Sequence, residues 1–251
     1  MIRKNLDELH WLEFELLAPF PRLKHAVFLR HGGNSQGPFN SLNLSTTMGD
    51  NPVHVNANIA KVKTSLCINR LAAAHQEHRD GIAIVNKINY DILEPHDALM
   101  TNHLNIGLKI SHADCQAAIF YDPIHHAVAT VHCGWRGHVC EIYNKTVSAM
   151  RRSFGTKPSD LHVAIGPSLG PQNAEFINYL TEFPETFWQF RLENDHFDLW
   201  ALAIWQLNQA KVLTSHIQIS EICTFANSAD CFSYRRNKTI TGAHGTIGTL
   251  L

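Results

Sequence analysis

The chain has 251 residues, a formal net charge of -1 and 17% charged residues, which is enough length to bury one large core or two small ones. Its charges are scattered, without a basic run or an aromatic-interleaved basic patch, so no nucleic-acid partner is expected. No apolar run is long enough for a membrane span, and Asp7, Glu8, Glu13 and Glu15 interrupt the first apolar residues, so a soluble cytoplasmic protein is expected. The six cysteines, Cys67, Cys115, Cys133, Cys140, Cys223 and Cys231, contain no C-x-x-C pair and are read as reduced thiols. With 17 histidines in the chain, most must be surface or packing residues.

In chain order, His25 to Arg30 reads as a strand running into His31-Gly-Gly-Asn-Ser-Gln-Gly-Pro-Phe-Asn-Ser-Leu-Asn-Leu44. That loop is either an ordinary surface connection or the lining of a pocket, with Arg30 at its start and Asn43 returning toward the same place. Asn51-Pro52 starts a helix, with the asparagine as cap and the proline in the first turn. Val55, Ile59, Val62 and Leu66 give its buried stripe, extended by Val53 and Ala57, and the helix is read as packing only. From Leu71 to Val85 the ends read as strands and the middle as a turn carrying His75 and His78, which by themselves look like solvent-facing residues. Ile106, Leu108 and Ile110 alternate along a further strand.

The most informative stretch is Ser111 to Gly137. Ala117 to Tyr121 and Ala127 to Val131 are short apolar runs flanking the turn dipeptide Asp122-Pro123, which predicts a hairpin. Cys115 lies just before the first run and His132 just after the second, so pairing brings them together. A thiol and an imidazole placed this way are either a nucleophile and its base or two ligands of one zinc ion. A helix is predicted to follow Gly137, with Val139, Ile142, Tyr143, Val147 and Met150 buried, Arg151 and Arg152 in its last turn and Gly155 as stop. Its free N–H groups near His132 would suit an anion such as phosphate. Asp160 to Ile165 reads as a strand, Ala174 to Phe183 and Asp198 to Lys211 as helical, and Ile217 to Phe225 and Thr239 to Leu250 as closing strands. No repeat or linker divides the chain. The expected fold is a mixed α/β single domain over residues 1–251, with central sheets and outer helices.

Several motifs in one order resemble a known family. H-A-D-C at His112–Cys115 and V-H-C-G-W-R-G at Val131–Gly137 are similar to the A-D-C and H-A-G-W-R-G signatures of the laccase-domain family, also called the multicopper polyphenol oxidase or peptidoglycan editing factor family. Arg30-His-Gly-Gly33, Ser41-Leu-Asn-Leu44, Gly49-Asp50, Gln76-Glu-His78, Ile165-Gly-Pro167 and Phe232-Ser-Tyr-Arg-Arg236 fit its other blocks. The resemblance implies the fold of a bacterial cytotoxic-factor deamidase, cytoplasmic and monomeric. It also implies a zinc ion held by His78, Cys115 and His132, which reverses the solvent-facing reading of His78 and leaves His75 as a bystander. One thiolate and two imidazoles suit zinc and leave a position open for water or substrate.

The implied activity is purine nucleoside phosphorolysis, with adenosine deamination and methylthioadenosine cleavage. Its substrates would be a purine nucleoside and phosphate, with Arg30 and Arg136 as cations beside the motifs and Asn43 as a base or ribose contact. Cys115, His132 and Arg136 are then the catalytic candidates. A second reading is a cysteine hydrolase acting on peptidoglycan precursors, with Cys115 as nucleophile, His132 as base and Asp114 nearby. A copper-dependent polyphenol oxidase fits less well, because the chain contains no H-x-H pair with which to assemble several coppers. A zinc-stabilised binding protein is the non-enzymatic alternative. Where the chain departs from the family pattern, His112 is a candidate fourth ligand and Cys133 places a second thiol beside the site.

Overall fold

The computed structural model describes residues 1–89, 94–238 and 240–251. The chain opens with strands β1 (Ile2–Leu6), β2 (Leu9–Glu13) and β3 (Leu23–Phe28) and helix α1 (Pro52–Ser65). Strands β4 (Arg70–Ala73), β5 (Ile82–Ile84), β6 (Ala98–Thr101) and β7 (Ile106–His112) follow, and then β8 (Gln116–Asp122) and β9 (Ala127–Cys133). Next come helices α2 (Trp135–Val139) and α3 (Ile142–Phe154), strand β10 (His162–Ile165) and helices α4 (Tyr179–Glu182) and α5 (Leu199–Gln209). Strand β11 (Ile217–Ile219), helix α6 (Tyr234–Asn237) and strand β12 (His244–Leu250) are the last elements.

The strands form two six-stranded mixed sheets, ordered β1-β2-β3-β12-β7-β4 and β11-β10-β8-β9-β6-β5. Side chains from both sheets, among them Val27, Leu108 and Leu250 from the first and Leu99, Ile119 and Val128 from the second, fill one core between them. The outer face of the first sheet packs Phe28 and Ile247 against Val62 and Leu66 of the α1 region. The outer face of the second sheet packs Phe120 and Val163 against Tyr143, Val147 and Met150 of α3 and Leu207 of α5. This stacking covers both faces of β8 and β9, so every residue in the two strands is buried. That explains why both strands read as unbroken apolar runs rather than as alternation.

The predicted hairpin forms with Ala117 opposite His132 and Asp122 opposite Ala127. Asp122 shapes its turn by accepting the N–H groups of Ile124 and His125. The cap on α1 also holds: Asn51 Oδ1 accepts the Val53 N–H at 2.9 Å, and Pro52 occupies the first turn. Replacing Asn51 with alanine removes this acceptor and is expected to cost about 1 kcal/mol, read as a lower urea midpoint at unchanged slope.

Other expectations are corrected. Val53 is exposed and does not extend the α1 stripe, while Asn58 is fully buried there. Asn58 donates to Ser35 Oγ and the Asn43 carbonyl and accepts the Asn34 N–H, so α1 anchors the 33–43 loop as well as packing. The helix predicted after Gly137 is broken at Cys140 and Glu141, where Glu141 has φ +57°. Val139, on the short α2, is exposed as a result. The long helix therefore starts at Ile142, and the helix N-terminus next to His132 in sequence is that of the five-residue α2. Between Ala174 and Phe183 only Tyr179–Glu182 is α-helical, because Phe176, Phe183, Phe187 and Phe197 pack as an aromatic cluster without helical period. The last two strands are shorter than read from the sequence, and Thr239 lies outside the described residues.

Candidate metal centre

The antiparallel register that pairs Ala117 with His132 places the Cys115 thiol at the open end of the hairpin, beside the His132 ring. His78 reaches the same point from the loop between β4 and β5, its ring 4.7 Å from that of His132 and nearly perpendicular to it. One ligand atom from each of His78, Cys115 and His132 lies within 4.8 Å of the other two, and no other such group of three occurs among the described residues. Three residues distant in sequence are thus brought together as the motifs implied.

What holds them there was not legible in the sequence. Asp97, just ahead of β6, is buried beneath the cluster. Its Oδ1 accepts the His132 Nδ1–H at 2.7 Å and the His78 N–H at 3.0 Å. Its Oδ2 accepts the N–H groups of Arg79 at 2.8 Å and Glu77 at 3.2 Å. One carboxylate therefore fixes the tautomer of His132, leaving Nε2 free, and also ties down the backbone that carries His78. His78 itself has φ +59°, a conformation a non-glycine residue keeps only where its surroundings impose it. Burial alone would raise the Asp97 carboxyl, but the His132 hydrogen bond and the converging N–H groups outweigh it and hold it below the usual range.

The electrostatics of the pair run in opposite directions. Burial pushes the Cys115 thiol up, yet the facing His132 charge and the hydrogen bonds from His132 and His78 overcome it and bring the thiol down to about 6. Burial disfavours His132 as a cation, but the Cys115 charge and Asp97 overcome that and raise it to about 9. The protein alone thus stabilises thiolate facing imidazolium, a pair suited either to binding a cation or to nucleophilic attack.

Gly134 leaves the room this requires. A Cβ there would come within 2.8 Å of Cys115 Sγ and 3.3 Å of His78 Cδ2. One sulfur and two imidazole nitrogens form a zinc-type donor set, and three protein ligands leave a coordination position for another molecule. The residues therefore fit the implied ion.

The cluster opens into a cavity of about 850 Å³, within the usual range for small-molecule sites. Met48, Trp135, Phe176 and Tyr234 supply apolar lining, and Arg79 and Arg136 supply cations. The Arg136 guanidinium lies over Trp135 at 4.2 Å.

Other expected site residues take different roles. Neither Arg30 nor Asn43 lines the cavity. Arg30 donates to the Asn40 and Ser228 carbonyls and lies over Phe232, so its charge shapes a loop. Asn43 is fully buried between Ser45, Asp50 and the Ala243 N–H, with no face left for substrate. His112 is not a fourth ligand: its Nε2 pairs with Thr246 Oγ1 at 2.8 Å and it lies outside the cluster. Asp114 turns away from His132 to Thr224, Ser233 and the Arg235 N–H, so the acid of any Cys-His-Asp arrangement is Asp97. Cys133 points into the α3 core, where burial pushes its thiol well up.

The family model described as multi-copper polyphenol oxidoreductase laccase matches residues 24–250. The chain belongs to that family. Among relatives of this laccase-family chain, "Purine nucleoside phosphorylase" of Bacteroides thetaiotaomicron is 29% identical over 90% of each protein. "Purine nucleoside phosphorylase YlmD" of Geobacillus stearothermophilus is 31% identical over 89% of each. The crystal structure of YlmD from the same organism superposes with a TM-score of 0.90 at 27% identity, covering 98% of this chain and 97% of that one. The laccase-family fold, two mixed sheets with flanking helices, is thus shared over nearly the whole chain.

Proposed function

We propose that this chain is a zinc-dependent purine nucleoside phosphorylase, with adenosine deamination and methylthioadenosine cleavage as further activities of the same site. The observation that carries the reading is the convergence of His78, Cys115 and His132 at a cavity large enough for a nucleoside. The printed names of the relatives point the same way. The zinc ion, when bound, supplies a Lewis acid and an activated water. The protein's own part is to hold the ligands through Asp97, to keep His132 Nδ1 protonated, and to present Arg136 at the cavity to an anionic reactant. In phosphorolysis, phosphate adds to the anomeric carbon as the N-glycosidic bond breaks and the purine leaves with the bonding pair. We propose that the protein works as a cytoplasmic monomer.

The test is incubation of the zinc-loaded protein with inosine, adenosine and methylthioadenosine, with and without phosphate, followed by chromatography. Phosphate-dependent ribose 1-phosphate is the expected product, and no turnover of any of the three would sink the reading. Gly134→Ala is expected to weaken zinc binding at least about tenfold, in line with the loss seen when groups that position ligands are disturbed. Competition against a chromogenic chelator would read this, and an unchanged affinity would show that the cradle beside Cys115 does not matter.

A second reading has its own support, the hydrogen bonds that link Cys115 to His132 and His132 to Asp97. It predicts rapid alkylation of Cys115 whether or not zinc is present. In the zinc reading, alkylation speeds up only after chelation. Among the described residues one ligand cluster is found, too few donors for a multicopper centre.

A further inference from the structure

Lys109 has no role in the reaction so far described, yet its position is costly. It lies in the middle of β7, opposite Ile247 of β12 and Ala73 of β4, and is only 6% exposed. Alternation along β7 turns it and Ser111 to the opposite face from Leu108 and Ile110. Both Lys109 and Ser111 line the same cavity as the metal cluster.

Its Nζ donates to the Leu44 carbonyl at 2.7 Å and to Ser111 Oγ at 2.6 Å, both neutral acceptors. No carboxylate pairs with it among the described residues. Asp114, on the same cavity, is taken by Thr224, Ser233 and Arg235, and Glu77 lies 4.0 Å from Arg79. A lysine ammonium has three donors, and a buried one is normally paired with an anion. Burial, with no opposing charge, lowers the amine to about 8, so it still carries its proton at neutral pH. Ser111 is itself pinned by Gln76, which bonds both its N–H and its carbonyl, so the amine is held in place rather than trailing into solvent. Ser45 and Thr47 hydroxyls line the cavity close by in sequence to Leu44 and add neutral donors.

We propose that Lys109, alongside Arg136, is an anion-recognition residue of this cavity, giving its remaining N–H to a phosphate oxygen. The phosphate is either the free acceptor of phosphorolysis or an ester carried by the nucleoside. The assignment to the free acceptor rests on the phosphorylase reading; the anion-binding role does not.

The experiment compares the zinc-loaded wild type with Lys109→Met and Lys109→Gln. Inorganic phosphate and, separately, adenosine 5′-monophosphate are titrated against unfolding temperature and by calorimetry. Methionine nearly matches the lysine stem, and Leu44 keeps Ser111 Oγ as a donor at 3.3 Å, so the variants are expected to fold. Loss of a charge-assisted hydrogen bond should weaken phosphate binding about tenfold or more. Where turnover is measurable, the KM for phosphate should rise by a similar factor while the KM for inosine stays within about twofold. Tighter wild-type binding of adenosine 5′-monophosphate alone would identify the anion as part of the nucleoside. Equal binding by wild type and variants, no binding of either anion to the wild type, or variants that cannot fold would overturn the proposal. Phosphate binding that depends on Lys109 without nucleoside turnover would leave it standing and remove the phosphorylase reading instead.

Discussion

Asp97→Asn is expected to weaken zinc binding by about 10- to 100-fold and to destabilise the metal-free protein by about 3 kcal/mol. The carboxylate receives four N–H groups, two on each oxygen. An amide has one oxygen and one NH2, so whichever way it turns, a pair of donors faces another donor. If the NH2 meets His132 and the His78 N–H, the imidazole loses its orienting acceptor and its proton can move to Nε2, the atom needed for the ion. If the NH2 meets Glu77 and Arg79, the loop holding His78 in its φ +59° conformation is released. Each buried donor left without an acceptor costs about 1–3 kcal/mol. Denaturant unfolding of the metal-free protein and chelator competition on the loaded one read the two effects separately. Unchanged zinc affinity in a folded variant would show that Asp97 does not govern the cluster.

The second large effect is acid lability. His25, His138 and His244 are buried, and burial lowers each to about 4. Two of them make hydrogen bonds that require a neutral ring: His25 Nε2 accepts the Phe14 N–H and His244 Nε2 accepts the Phe232 N–H. His138 Nδ1–H donates to Gln206 Oε1, and its Nε2 is buried without a partner. Each folded value lies below the unfolded value of 6.5, so between about pH 6.5 and 4 the unfolded chain binds more protons and stability falls as pH falls. At pH 5 each ring removes about 2 kcal/mol, about 6 kcal/mol for the three, an order-of-magnitude figure. That is comparable to the whole stability of an ordinary domain, roughly 5–15 kcal/mol. Urea unfolding at pH 7 and pH 5, followed by circular dichroism, should show it. A difference below about 2 kcal/mol would mean that these rings become charged inside the fold at small cost.

Local chemistry made part of this molecule readable from its residues. Asp122-Pro123 between two apolar runs gave the hairpin, and Asn51-Pro52 gave the start of α1. The motif resemblance added His78, which residue pattern alone would have left in solvent. Asp97 escaped because Glu94-Pro-His-Asp97 reads as a turn and its partners come from distant segments. Arg30 and Asn43 were misplaced for a related reason, since a polar residue beside a glycine-rich loop can serve the loop itself as readily as a ligand. The break at Glu141 left no mark in the periodicity, which continues across it. Lys109 was passed over because a single charge in an apolar strand shows neither its burial nor what it faces.

The sheet order β1-β2-β3-β12-β7-β4 also bears on how the protein is made. The last strand in sequence fills the gap between two that are synthesised much earlier, bonding β3 on one side and β7 on the other. A nascent chain on the ribosome therefore holds two unfinished ribbons with bare edges until His244–Leu250 has emerged. Unpaired strand edges of this kind are templates for pairing with another chain, so the arrival of this strand closes both at once.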